Sequence, residues 1–137
     1  MKHLLKMVCV SSALLLATHA MAEEAAKPDV VIAKGKLGQA PVQIVYDYLA
    51  DRIVNEYGVA EYRNLVITQK SAGAEDFSKV NVEVLQSGLP DDAVAAQRFR
   101  FTFDVNDQAQ VWQMKSVTQD WQCKRSKKKA WTQKPCQ

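Results

Sequence analysis

Arg98-Phe99-Arg100-Phe101-Thr102-Phe103-Asp104-Val105 is the stretch on which the fold turns. Successive side chains of an extended strand point to opposite faces, so Phe99, Phe101, Phe103 and Val105 share one face and Arg98, Arg100, Thr102 and Asp104 the other. An aromatic face backed by a charged one predicts a half-buried antiparallel strand, with core on one side and water on the other. Upstream, Val80, Val82 and Val84 alternate with Asn81 and Glu83, and the turn sequence Gly88-Leu89-Pro90-Asp91-Asp92 separates the two strands. Residues 62–70, around Leu65, Val66 and Ile67, predict a strand that precedes the turn Ser71-Ala72-Gly73-Ala74. Downstream, Asn106-Asp107 predicts a hairpin turn into 110–121. There the alternation slips between Trp112/Met114 and Val117/Trp121, as a β-bulge would make it.

Four strands joined by short turns leave one apolar face that needs a cover. Pro41 suits the first turn of a helix, where a missing N–H loses no partner, and Gly58 suits its end. Between them Val42, Val45, Leu49 and Ile53 recur at spacings of three and four, with Tyr46 and Tyr57 on the flank. The pattern predicts an α+β fold, one N-terminal helix packed on a curled four-stranded antiparallel meander, followed by a C-terminal disulfide-closed hairpin. In element order alone this is similar to the cystatin-like arrangement. The Gln-x-Val-x-Gly hairpin of cystatins is absent from Gln110-Val111-Trp112-Gln113-Met114, so the similarity implies no function.

The domain is preceded by an address. Residues 1–22 carry basic Lys2 and Lys6, an apolar stretch of about eleven residues over 7–17, and small Ala20 and Ala22. This is the pattern of a secretory signal cleaved before Glu23, and the stretch is well short of the roughly 18–20 residues that span a bilayer. Cys9 lies within the apolar stretch, which does not suit lipidation. Export to the periplasm or beyond is therefore expected. Residues 23–40 read as a flexible leader in which Val30-Val31-Ile32 could pair as an edge strand, and 41–137 as a single domain.

The 137 residues are 24% charged and 47% hydrophobic, and 18 basic against 15 acidic side chains give +3, an excess too small for a protein that coats nucleic acid. Both histidines, His3 and His19, precede residue 23. Residues 23–137 thus lack the base of Ser-His-Asp and Cys-His sites and every His metal ligand. An enzyme would have to work with carboxylates, and Asp47, Asp51, Glu56, Glu83 and Asp104 are the candidates. Asp47 and Asp51 lie one helical turn apart, the spacing of any solvent-facing stripe. Asp91-Asp92 alone is too poor in oxygens for calcium. No enzymatic activity, cofactor or metal is expected.

Cys123 and Cys136 are the two cysteines after residue 22. In an exported chain they predict one disulfide closing a 14-residue ring, worth roughly 3 kcal/mol on the loop-entropy account. The ring belongs to 121–137, in which Lys124, Arg125, Lys127, Lys128, Lys129 and Lys134 meet no acid, whereas 23–120 hold ten basic and fifteen acidic residues. This separation of charge predicts a cationic loop that contacts an anionic polymer or lipid headgroup surface. The competing expectations are a solvated hairpin tip and a protein-binding module that uses a sheet face or edge. Trp121 and Trp131 flank the loop and are expected to pack on each other or over the disulfide. Arg98 and Arg100 are expected to pair across strands with Glu83.

Overall fold

The computed structural model describes residues 29–58 and 60–137. The signal sequence expected over 1–22, and the leader up to residue 28, lie outside them. The order of elements is β1 (Ala33–Lys34), α1 (Pro41–Tyr48), α2 (Ala50–Ile53), β2 (Asn64–Ser71), β3 (Lys79–Ser87), β4 (Val94–Asn106), β5 (Val111–Cys123) and β6 (Trp131–Thr132). The strands form one antiparallel sheet in the order β1-β5-β4-β3-β2, and β6 also pairs with β5. Among the described residues, no helix is long and apolar enough to cross a membrane.

The expected fold, one helix on a four-stranded meander, is therefore corrected. Over the described residues the protein is mostly antiparallel sheet, with six strands and two short helices of eight and four residues. β1 and β6 have two residues each, too few to show a period of two in the sequence. The helical stretch breaks at Leu49, whose φ of −95° and ψ of 4° lie in the bridge region. No proline or glycine announces the break. Leu49 is fully buried, which keeps the turn of α2 against the core after the α geometry is interrupted.

The core is one cluster. Val80, Val82 and Val84 of β3, Phe99, Phe101 and Phe103 of β4 and Met114 of β5 are buried together with Ile44, Val45, Leu49 and Ile53 of the helices. Each fully buried side chain of this size stabilises by about 1.5–3 kcal/mol. Val42, expected on the core stripe, is only half-buried, and Ile44 takes the deeper place. The helix start has no side-chain cap on Ala40. Instead, Gln43 Oε1 accepts the Ala40 N–H at 2.9 Å and Gln69 Oε1 of β2 accepts the Val42 N–H at 3.2 Å. α1 is thereby tied to the edge strand.

Two irregularities in the β4–β5 ladder set what each face presents. Thr102 pairs with Ser116 and Phe103 with Met114, so Lys115 is the extra residue of a bulge, where the alternation slips in the sequence. Ala95 is the extra residue between Val94 and Ala96. After the Lys115 bulge, Val117, Gln119 and Trp121 face the same way as Phe101, Phe99 and Gln97, while Ser116, Thr118 and Asp120 share the outer face with Thr102, Arg100 and Arg98. Gly88, at φ +69°, turns β3 toward β4. A Cβ there would meet Arg63 Cβ at 2.5 Å, so a side chain would meet both strain and a collision.

Candidate functional site

The C-terminal loop is built by three attachments to the sheet. Cys123, the last residue of β5, is bonded to Cys136, with Cα atoms 5.4 Å apart. Within the ring, β6 lies along β5, with Trp121 opposite Thr132 and Gln122 opposite Trp131. Gln122 Nε2 also donates to the Lys129 carbonyl at 2.9 Å. At the near end, the Lys124 N–H donates to the Ala93 carbonyl at 2.8 Å and its Nζ to the Asp91 carbonyl at 2.6 Å.

These attachments divide the six cations of the tail. Lys124 and Arg125 lean on the β3–β4 turn, and Arg125 reaches Asp92 at 3.5 Å with both side chains well exposed, an ion pair of little energetic weight. Lys127, Lys128, Lys129 and Lys134 are exposed, and among the described residues none makes a salt bridge. Four positive charges thus project from a closed loop. The turn that receives Lys124 is itself braced, because the Asp91 carboxylate accepts the N–H groups of Ala93 at 2.7 Å and Val94 at 2.8 Å. The Val94 bond, then the Ala93 bond, hold the Asp91 carboxyl below the usual carboxylate range.

The expected packing of Trp121 on Trp131 is corrected by the register. Neighbouring positions on the two paired strands point to opposite faces, so Trp121 turns toward the core side and Trp131 to the outer face. The Arg98 guanidinium lies over the Trp131 ring at 4.4 Å from its centroid, close enough for a cation–π contact.

The arginines of the outer face have a partner that the strand pattern of β4 does not reveal. Asp120 is 3% exposed; its Oδ2 accepts a hydrogen bond from Arg98 Nε at 2.9 Å and forms an ion pair with Arg100 Nη2, also at 2.9 Å. Glu83, the expected partner, stands at 3.5 Å from Arg98 and is the weaker contact. The signal that could have found Asp120 is the bulge. Counting β5 through Lys115 brings Asp120 opposite Arg98 on the outer face. A chain of contacts therefore runs from β6 to β4: Trp131, Arg98, Asp120, Arg100.

The carboxylates considered for catalysis are dispersed. Asp47 accepts a hydrogen bond from Gln39 Nε2 at 2.9 Å on α1, while Glu83 stands on the outer face of the sheet, away from the helices. Asp104 lies opposite Lys79, four residues along β3 from Glu83. Asp51 and Glu56 are exposed at and beyond α2. Among the described residues, no three His, Cys, Asp or Glu side chains stand together as a metal site would need.

No protein-family model, curated protein or solved structure matches the chain. The geometry of its own residues is what bears on function.

Proposed function

We propose that this is an exported, non-enzymatic binding protein whose basic C-terminal loop contacts an anionic component of the cell envelope, a polymer or a lipid headgroup surface. The observation that carries the reading is the division of the tail cations. Lys124 anchors the loop, Arg125 only reaches toward Asp92, and Lys127, Lys128, Lys129 and Lys134 are left exposed and without a salt bridge among the described residues. A loop closed by a disulfide and pinned by β6 loses little further freedom when it meets a charged surface, so more of the Coulomb attraction is realised as affinity. Lysine suits this role because its ammonium is a mobile point charge that adapts to irregularly spaced anions.

The test is retention on immobilised heparin across a salt gradient, for the oxidised protein and for a variant with Lys127→Gln, Lys128→Gln, Lys129→Gln and Lys134→Gln. Late elution of the native protein and early elution of the variant support the reading. Co-elution at low salt sinks it. A second reading, a protein-binding module, is favoured by one observation. β2 is an eight-residue edge strand with no strand on its outer side among the described residues, a template for strand addition. Binding of that kind would be insensitive to salt.

A further inference from the structure

The outer face of the sheet carries a feature that the loop does not explain. Two rows of side chains cross it at right angles to the strands. The first, from β2 to β5, is Lys70, Asn81, Thr102 and Ser116, each opposite the next in register. The second, one pleat along, is Thr68, Glu83, Arg100 and Thr118. Every one of these side chains is a hydroxyl, an amide or an ion, and together they line a depression of ≈ 520 Å³. Val82 and Phe101 also border it, although their side chains belong to the core, so its floor is strand backbone. With strands ~4.8 Å apart and same-face residues ~6.8 Å apart, the grid measures about 14 by 7 Å. Its volume falls within the range of small-molecule sites.

Here four of the eight positions are short hydroxyls, and the one arginine is tethered. Asp120, buried beside the grid, holds Arg100 by Nη2, and among the described residues its other N–H groups have no protein partner. Thr102 Oγ1 and Ser116 Oγ share a hydrogen bond at 2.7 Å in which either can donate, so the pair can present a donor or an acceptor outward. Lys70 stands at the far corner with no salt bridge among the described residues. Arg98 and Arg100 are matched by Glu83 and Asp120, which leaves Lys70 as the one unmatched charge of the grid and its border among the described residues.

We propose that this grid binds a hexuronic acid unit of an acidic polysaccharide. Hydroxyls, an amide and a carboxylate are the partners that ring hydroxyl groups need, since each sugar O–H both donates and accepts. Lys70 provides for the single carboxylate of such a unit, and Arg100, already held in place by Asp120, offers its remaining N–H groups to ring oxygens as a charge-assisted donor. Glu83 selects against a bare polyphosphate, which offers it no O–H and repels it, and accepts from a sugar. The inference takes from the loop reading only the setting, an anionic polymer, and rests for the unit recognised on the grid alone.

The experiment is a titration of the oxidised protein with trigalacturonate, followed by backbone amide shifts and calorimetry, beside maltotriose as the neutral sugar and inorganic phosphate as the bare anion. Trigalacturonate is expected to shift the amides of 68–70, 81–83, 100–102 and 116–118. Lys70→Gln should weaken it by about tenfold, as loss of a hydrogen bond from a charged donor does. Asn81→Ala, a second exposed change that leaves the core intact, should weaken it severalfold, and Lys127→Gln, Lys128→Gln, Lys129→Gln together should change it less than about twofold. Shifts confined to 124–134, equal shifts with phosphate, or unchanged affinity in both grid variants would overturn the proposal, as would no binding. Grid binding retained in a protein that fails on heparin would sink the loop reading alone.

Discussion

Replacing Asp120 by Asn keeps the shape of the side chain and removes its charge, and the size of the effect can be worked from the geometry. Asp120 is 3% exposed, accepts one guanidinium N–H, from Arg98 at 2.9 Å, and is ion-paired with Arg100 at the same distance. A hydrogen bond between charged groups contributes about 1.5–3 kcal/mol, and breaking a fully buried ion pair costs about 3–5 kcal/mol. Both figures need discounting here. The Arg100 side chain is 46% exposed, so water takes over its solvation when the carboxylate is neutralised, and Glu83 remains 3.5 Å from Arg98. What is left is about one charged bond, so Asp120→Asn should lower the stability by about 2–3 kcal/mol. In urea, with a slope of roughly 1.5–2 kcal/mol per molar for a domain of this size, the midpoint should fall by about 1–2 M at unchanged slope. The Arg98 guanidinium rests on Trp131, so the near-ultraviolet circular dichroism of the indoles should change with it. A cycle with Arg98→Met should give a coupling of about 1 kcal/mol or more. A loss under about 0.5 kcal/mol with an unaltered indole spectrum would refute the view that Asp120 organises this face.

Two further predictions concern the loop. Cys123→Ser with Cys136→Ser should destabilise by roughly 3 kcal/mol in denaturant unfolding if β6 and the Lys124 bonds hold the open loop in place. A loss below about 1 kcal/mol would mean that the tail leaves the sheet in the native state once the bond is gone. Acid should loosen the turn beneath the loop, because the Asp91 carboxyl is lower in the folded protein than its ordinary value of 3.8. Its stabilisation is complete above that ordinary value and disappears as pH falls through the lower folded one. The carboxyl carbon of Asp91 should therefore titrate below 3.8, and Asp91→Asn should flatten the fall of stability that sets in near 3.8 and continues as pH drops through the lower folded value. An ordinary titration of Asp91 would contradict this.

How much of this could be read from the sequence depended on how far each residue's surroundings lie along the chain. Phe99, Phe101 and Phe103, and Val80, Val82 and Val84, are buried as the alternation predicts, because a period of two is a local property that the sheet only has to respect. The disulfide followed from there being two cysteines after residue 22. β1 was legible only as an edge strand placed three residues early, at Val30-Val31-Ile32, and β6 only as part of a C-terminal hairpin, since the pairing of each is set by β5, some eighty residues from one and ten from the other. The break at Leu49 has no local cause in the sequence. The six basic residues of the tail were legible as charge, but their division into anchoring and free cations depends on the β3–β4 turn, which only the closed sheet brings beneath Lys124. The pairing of Arg98 and Arg100 with Asp120 depends on counting one residue of β5 out of the ladder, and the polar grid of the outer face depends on the same count.

That bulge also governs which changes of chain length the strand can absorb. Before Lys115 the even-numbered residues Trp112 and Met114 face the core, and after it the odd-numbered Val117, Gln119 and Trp121 do. A chain lacking Lys115 would join Met114 directly to Ser116 in regular alternation, with each residue through Cys123 kept on its present side and the cysteine still aimed at its partner. The ion pair of Lys115 with Asp29 would go, together with the packing of a largely buried side chain. A deletion near the middle of the downstream segment, at Thr118 for instance, has no spare residue beside it and would turn the side chains beyond it over. In this strand, tolerance of insertion and deletion is concentrated at the one residue that the ladder leaves out.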